Sequence, residues 1–204
     1  IITDGGDDII YGGAGDDIIM GGSGNDILYT GSGDTLLYGE GGDDTLVISG
    51  SGGATLNGGA GSDTVRSNLT NYTPNIENFV VEINLTTGIS GALGIESPLE
   101  DTLISIENIE YVGPHKSELT GNELANSIWG GDGDDIIRGG AGNDTLDSGA
   151  GDDEVHGGEG DDTIIQSGSG TQHYDGGVGT DTYIINIRDW ETSFADDFVA
   201  EVNL

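Results

Sequence analysis

Glycine and aspartate return every nine residues from the start of this chain, and that period limits its folds more than any other feature. Residues 12–20 read Gly-Gly-Ala-Gly-Asp-Asp-Ile-Ile-Met and residues 21–29 read Gly-Gly-Ser-Gly-Asn-Asp-Ile-Leu-Tyr. Within a unit, glycine takes positions 1, 2 and 4, aspartate position 6 and an aliphatic side chain position 8. Seven units run from Thr3 to Arg66, with Ile48 inserted before the sixth; seven more run from Gly121 to Ile184, with Gln166 inserted at the matching point. An offset of 118 residues superimposes the two sets, so the chain carries one long repeat and most of a second.

Each unit is expected to divide into a six-residue turn and a three-residue strand. Glycine at positions 1, 2 and 4 allows positive φ, which curls the turn carbonyls toward a common centre. The strand then turns one side chain inward: Ile10, Ile19, Leu28, Leu37, Leu46, Leu56 and Val65, then Ile128, Ile137, Leu146, Val155, Ile164, Tyr174 and Tyr183. So short a strand has no independent stability. Two units close a coil of eighteen residues, and coils stacked about 4.8 Å apart give two parallel sheets around a narrow core. The expected class is all-β, a parallel β-solenoid. Its blocks span 1–66 and 121–184, a non-repeat β segment spans 67–120, and 185–204 begin a second such segment. In the first segment Phe79–Leu85 and Thr102–Val112 read as strands, Ile76–Phe79 and Ile106–Ile109 as two uses of one element, and Gly88–Pro98 as a loop.

Such a core is thin for a chain of net charge −34, with 38 acidic residues against four Lys and Arg. The imbalance excludes nucleic acid and anionic membranes as partners, since both need a basic face. The expected partner is a cation. Cysteine is absent, which removes disulfides, thiolate metal sites and a cysteine nucleophile. No apolar run is long enough for a transmembrane helix. The first residues carry neither an initiator Met nor a signal-peptide pattern, and the chain reads as a piece of something longer.

Stacking places the position-6 carboxylates of units n and n+2 one above the other. Two aspartates plus curled carbonyls make an all-oxygen donor set, which suits Ca²⁺ better than Mg²⁺. The candidate ligands on the odd edge are Asp8, Asp26, Asp44 and Asp63, then Asn126, Asp144, Asp162 and Asp181. The even edge offers Asp17, Asp135 and Asp153, but Thr35, Ala54 and Gln172 interrupt it. Strong sites are expected at 8/26, 26/44, 44/63, 144/162, 162/181 and 135/153, with 126/144 and 17/35 marginal, about six to eight Ca²⁺ ions in all. Turn formation alone does not demand an acid every nine residues beside three glycines. Position-5 acids such as Asp7, Asp43 and Asp134 are expected to face solvent.

The motif Gly-Gly-x-Gly-x-Asp-x-U-x, close to consensus at 12–20, 21–29, 130–138, 139–147 and 157–165, resembles the RTX, or hemolysin-type, calcium-binding repeat and its parallel β-roll. The resemblance implies calcium-driven folding outside a bacterial cell after passage through a type I exporter. It also implies that turn carbonyls complete each site. On this chain those are Gly6, Gly21, Gly22, Ser23, Gly24, Gly39, Glu40, Gly41, Gly42, Gly58 and Ala60 in the first block. In the second they are Gly130, Gly131, Gly133, Gly139, Gly140, Ala141, Gly142, Ser148, Ala150, Gly157, Gly158, Glu159, Gly160, Gly176 and Val178.

His115, His156 and His173 sit at unrelated repeat positions, and neither a zinc-protease His-Glu-x-x-His nor a Gly-x-Ser-x-Gly elbow is present, so no catalytic residue is expected. Tyr11 and Tyr29 form an outward pair eighteen residues apart, and Trp129 occupies the same repeat position. Three non-enzymatic roles follow: a calcium-binding segment of a large secreted or surface protein, a carbohydrate-binding accessory module, and an ice-binding or adhesin roll. Neighbouring β-roll segments are further candidate partners through the bare coil ends.

Overall fold

A computed structural model describes residues 1–69, 79–93, 100–185 and 202–203. It is a parallel β-solenoid with no helix among the described residues. Strands are numbered in chain order. One sheet stacks β1 (Ile9–Tyr11), β3 (Ile27–Tyr29), β5 (Thr45–Ile48), β7 (Thr64–Asn68), β11 (Asn108–Val112), β13 (Ser127–Trp129), β15 (Thr145–Asp147), β17 (Thr163–Gln166) and β19 (Thr182–Ile185) in that order. The other stacks β2 (Ile18–Ser23), β4 (Thr35–Gly41), β6 (Ala54–Ala60), β10 (Asp101–Ile104), β9 (Ile89–Leu93), β8 (Val80–Asn84), β12 (Ser117–Thr120), β14 (Ile136–Ala141), β16 (Asp153–Glu159), β18 (Gln172–Val178) and β20 (Val202–Asn203).

Register follows the period. Ile10 lies over Leu28, Leu28 over Leu46 and Leu46 over Val65; Ile19 lies over Leu37 and Leu37 over Leu56. These position-8 side chains form one continuous buried row from Ile10 to Tyr174, with Tyr183 packed against its end. Between the blocks the row is carried by Phe79, Val81, Ile83, Leu103, Ile106, Ile109, Tyr111 and Leu119. The first sheet crosses from block to block through β11 alone, which is parallel to both β7 and β13.

The second sheet differs from expectation in two ways. Its strands β4, β6, β16 and β18 are seven residues long, because the chain stays extended through the first glycines of the next turn. Gly88–Pro98 is also not simply a loop: β9 lies antiparallel to both β8 and β10, so an antiparallel insert interrupts an otherwise parallel sheet. The run Thr102–Val112 divides between the sheets at Ser105, whose φ of 49° makes the corner. Ile76–Asn78, the remainder of the Gly88–Pro98 stretch from residue 94, and most of 185–204 lie outside the described residues.

Glycine proves to serve two purposes. Glycines at positions 2 and 4 hold positive φ, as at Gly22 (99°) and Gly24 (128°), with Gly133 and Gly168 as exceptions, and Glu40 takes this conformation at position 2 without being glycine. Position-1 glycines such as Gly21, Gly39 and Gly157 do not, which corrects the expectation that all three positions are chosen for φ. Their reason lies in the turns.

Candidate metal centre

A Cβ on Gly39 would collide with Asp44 Oδ2 and with the Gly58 carbonyl oxygen of the next coil. The same holds for Gly139 with Asp144 Oδ2 and the Gly157 carbonyl and for Gly157 with Asp162 Oδ2 and the Gly176 carbonyl, while at Gly21 it would collide with Asp26 Oδ2 and crowd the Gly39 carbonyl. On the even edge Gly130 stands in this relation to Asp135 Oδ2 and the Ser148 carbonyl. Position-1 glycine therefore leaves open a space ringed by oxygen. A side chain there would fill it.

Beyond the first coil, the position-6 carboxylates use one oxygen to lock the stack. Asp26 Oδ1 accepts the Asp8 N–H, Asp44 that of Asp26, and Asp63 that of Asp44, each at 2.8 Å. In the second block Asp144 accepts from Asn126, Asp162 from Asp144 and Asp181 from Asp162, at 2.8–3.0 Å, and on the even edge Asp153 accepts from Asp135 at 2.9 Å. The other oxygen is left over. Oδ2 of Asp17, Asp26, Asp44, Asp63, Asp135, Asp144, Asp153 and Asp162 is buried and accepts no hydrogen bond within normal limits, although the side chains of Ser148 and Gln172 stand near Asp153. Buried carboxylate oxygens with nothing to face are costly unless a cation completes them.

The electrostatics agree. Burial pushes the carboxyls of Asp63, Asp101 and Asp144 up to about 6 and that of Asp135 up to about 8; Asp44, Asp153 and Asp162 rise for the same reason. Backbone N–H bonds oppose the rise and acidic neighbours along the column add to it. No lysine or arginine pairs with these columns among the described residues; the one Arg bridge joins Arg66 to Glu110 at 2.6 Å on the outer face of the first sheet. Nor do three His, Cys, Asp or Glu side chains cluster anywhere among them. The oxygen atoms that face one space are those of two carboxylates together with turn carbonyls. That donor set fits Ca²⁺.

At three of the four positions where the acid is missing, Ala54 being the exception, a side-chain hydrogen-bond donor stands in. On the first block's even edge the Thr35 hydroxyl donates to the Thr30 carbonyl at 3.3 Å, and the Thr30 hydroxyl to the Ser49 carbonyl at 2.8 Å. Asn126 Nδ2 donates to the Glu107 carbonyl at 2.6 Å, and Gln172 Nε2 to that of Gly151 at 2.9 Å. Thr3, at position 1 of the first unit, donates its hydroxyl to the Gly21 carbonyl, so the 8/26 space differs from its neighbours. These neutral contacts give the turn carbonyls a partner from the protein itself.

The remaining carbonyls divide by position. Those at position 3, including Ser23, Gly41, Ala60, Glu159 and Val178, accept the position-4 N–H of the preceding coil. Position-2 carbonyls such as Gly131 accept from the following coil, here from Ala150. Each keeps a second lone pair. Position-5 acids are exposed and build a separate ladder of opposite sense: Asp7 Oδ1 accepts from Asn25, and Asp43 Oδ1 from Ser62.

Sequence reasoning missed the acids that extend both ladders into the intervening segment. Asp101 Oδ1 accepts the Ala54 N–H at 2.8 Å, and Glu107 Oε2 accepts that of Asp63 at 2.9 Å. Ser117 instead donates both its N–H and its hydroxyl to Asp135 Oδ1. The available signal was the acid-x-aliphatic triplet without its glycines: Asp101-Thr102-Leu103 repeats Asp44-Thr45-Leu46, and Glu107-Asn108-Ile109 has the same form.

The profile of the RTX calcium-binding nonapeptide repeat family matches residues 2–37, 20–47, 48–71, 120–155 and 129–164, together more than half of the chain. No curated protein matches it significantly.

Proposed function

The chain belongs to the RTX calcium-binding nonapeptide repeat family, and from that premise we propose that it is a segment of a larger secreted or surface bacterial protein which stays unfolded until Ca²⁺ assembles its coils outside the cell. Its repeats are a calcium-binding module. The row of buried, unpartnered Asp Oδ2 atoms is the observation that carries the rest. The residues that would hold the ions are the paired position-6 aspartates and the turn carbonyls beside them. A bound ion supplies positive charge between carboxylates that otherwise repel, so binding energy becomes folding energy. In low calcium, as inside a cell, the same carboxylates would keep the chain expanded enough to thread an exporter.

No enzymatic role is assigned. The test is circular dichroism during a Ca²⁺ titration from chelated to millimolar, with Mg²⁺ as control. A cooperative, Ca²⁺-specific gain of β structure is expected; equal β content in excess chelator would overturn the folding switch.

One observation favours a second role. An open groove of about 460 Å³ at the junction of segment and second block is lined by Glu110, Tyr111, Trp129, Asp132 and Asp147, with Trp129 exposed on its outer face. An aromatic platform flanked by carboxylates suits a neutral sugar. Quenching of tryptophan fluorescence by neutral oligosaccharides, lost in Trp129→Ala, would support a glycan-binding role.

A further inference from the structure

We propose that the odd-edge column continues beyond the last nonapeptide of the first block into a divalent-cation site formed by Asp63, the Ser105 carbonyl and Glu107. The proposal rests on the calcium-binding assignment and extends it to residues outside any glycine-aspartate unit.

Register makes the equivalence. Ile104 pairs with Asn57 and Asn108 with Thr64, which places Ser105 over Gly58 and Glu107 over Asp63, the levels of positions 1 and 6. Glu107 accepts the Asp63 N–H at 2.9 Å, just as Asp63 accepts that of Asp44 at 2.8 Å. Asp63 is fully buried and its Oδ2 has no partner. The absent Cβ of Gly58 leaves a space between Asp63 Oδ2 and the Ser105 carbonyl oxygen, as the absent Cβ of Gly39 does between Asp44 Oδ2 and the Gly58 carbonyl.

The corner is shortened. Gly58 reaches Asp63 through four intervening residues, whereas Ser105 reaches Glu107 through Ile106 alone. The extra methylene of glutamate makes up reach that an aspartate in the shorter corner would lack, and the positive φ of Ser105 turns the backbone there. Two carboxylates and a carbonyl give an oxygen-only donor set of the Ca²⁺ type. On the far side the Asn126 amide donates to the Glu107 carbonyl and takes the place of a further ion, so the column of the first block closes here.

Glu107→Gln keeps an oxygen able to accept the Asp63 N–H and removes only the charge. Equilibrium dialysis with radioactive calcium should find one ion fewer per chain in this variant, with the remaining ions bound as tightly as in the wild type. An unchanged count overturns the proposal. A wild-type chain that binds no calcium overturns the broader assignment and this site with it. Should the variant fail to fold, wild-type crystals grown in calcium decide: an anomalous peak between Asp63 and Ser105 is expected, and peaks at 26/44 and 44/63 without one here overturn the site.

Discussion

A position-1 glycine is an empty space that the fold depends on. Gly39→Ala needs no unusual backbone angle, yet its methyl group would enter the space between Asp44 Oδ2 and the Gly58 carbonyl. We expect the variant to bind one ion fewer and to require more calcium to fold, measured by calorimetric titration. The converse change is Thr35→Asp. It removes a hydroxyl that donates to the Thr30 carbonyl and sets a second carboxylate beside Asp17, whose Oδ2 is already buried and unpartnered. A gain of one ion per chain is the expected outcome by the same method. Protonation belongs at this scale too. Asp63, Asp101 and Asp144 are raised to about 6 and Asp135 to about 8, from an ordinary value of 3.8, so without metal their folded forms hold protons that the unfolded chain has released. Their contribution to stability is complete below about pH 4 and is lost as pH rises through 6 to 8. Metal-stripped chain should therefore gain β structure by circular dichroism on acidification from pH 8 toward 4. Calcium must displace those protons, so its apparent affinity should fall on acidification and rise as pH is raised from 4 toward 8.

At the level of a single strand, the inward residue and its register are what the period determines. Leu46 is fully buried between Leu28 and Val65. Leu46→Ala should cost about 2–5 kcal/mol, read as a lower melting temperature in saturating calcium with the ion count unchanged. The nine-residue step disclosed this row, the coil of eighteen and the acid columns, because stacking demands the same residue type at the same level every coil. Alternation marked strands within Phe79–Leu85 and Thr102–Val112, but nothing local disclosed how the strands of the intervening segment pair. There, pairing depends on contacts between residues distant in sequence: Ala54 meets Asp101 and Asp63 meets Glu107, across 47 and 44 residues. The hydroxyl and amide donors of Thr35, Asn126 and Gln172 were hidden for a related reason. Sequence marks them as lost acids, and only the stack shows what each one donates to.

Over the whole molecule, the slender core and the acid columns oppose one another. The core is a single row of mostly aliphatic side chains, and the carboxylates beside it are desolvated without a protein counter-charge among the described residues. Neither suffices alone for a chain of net charge −34 at pH 7. Between the blocks, among the described residues, the first sheet inserts β11 alone, whereas the second inserts β10, β9, β8 and β12. Three additional strands at about 4.8 Å each lengthen one flank by roughly 14 Å. Like the tapered stone of an arch, a segment so unequal is expected to turn the stacking axis toward the shorter side. A chain built from successive copies of the 118-residue unit would then trace an arc, its curvature set by a difference in strand number.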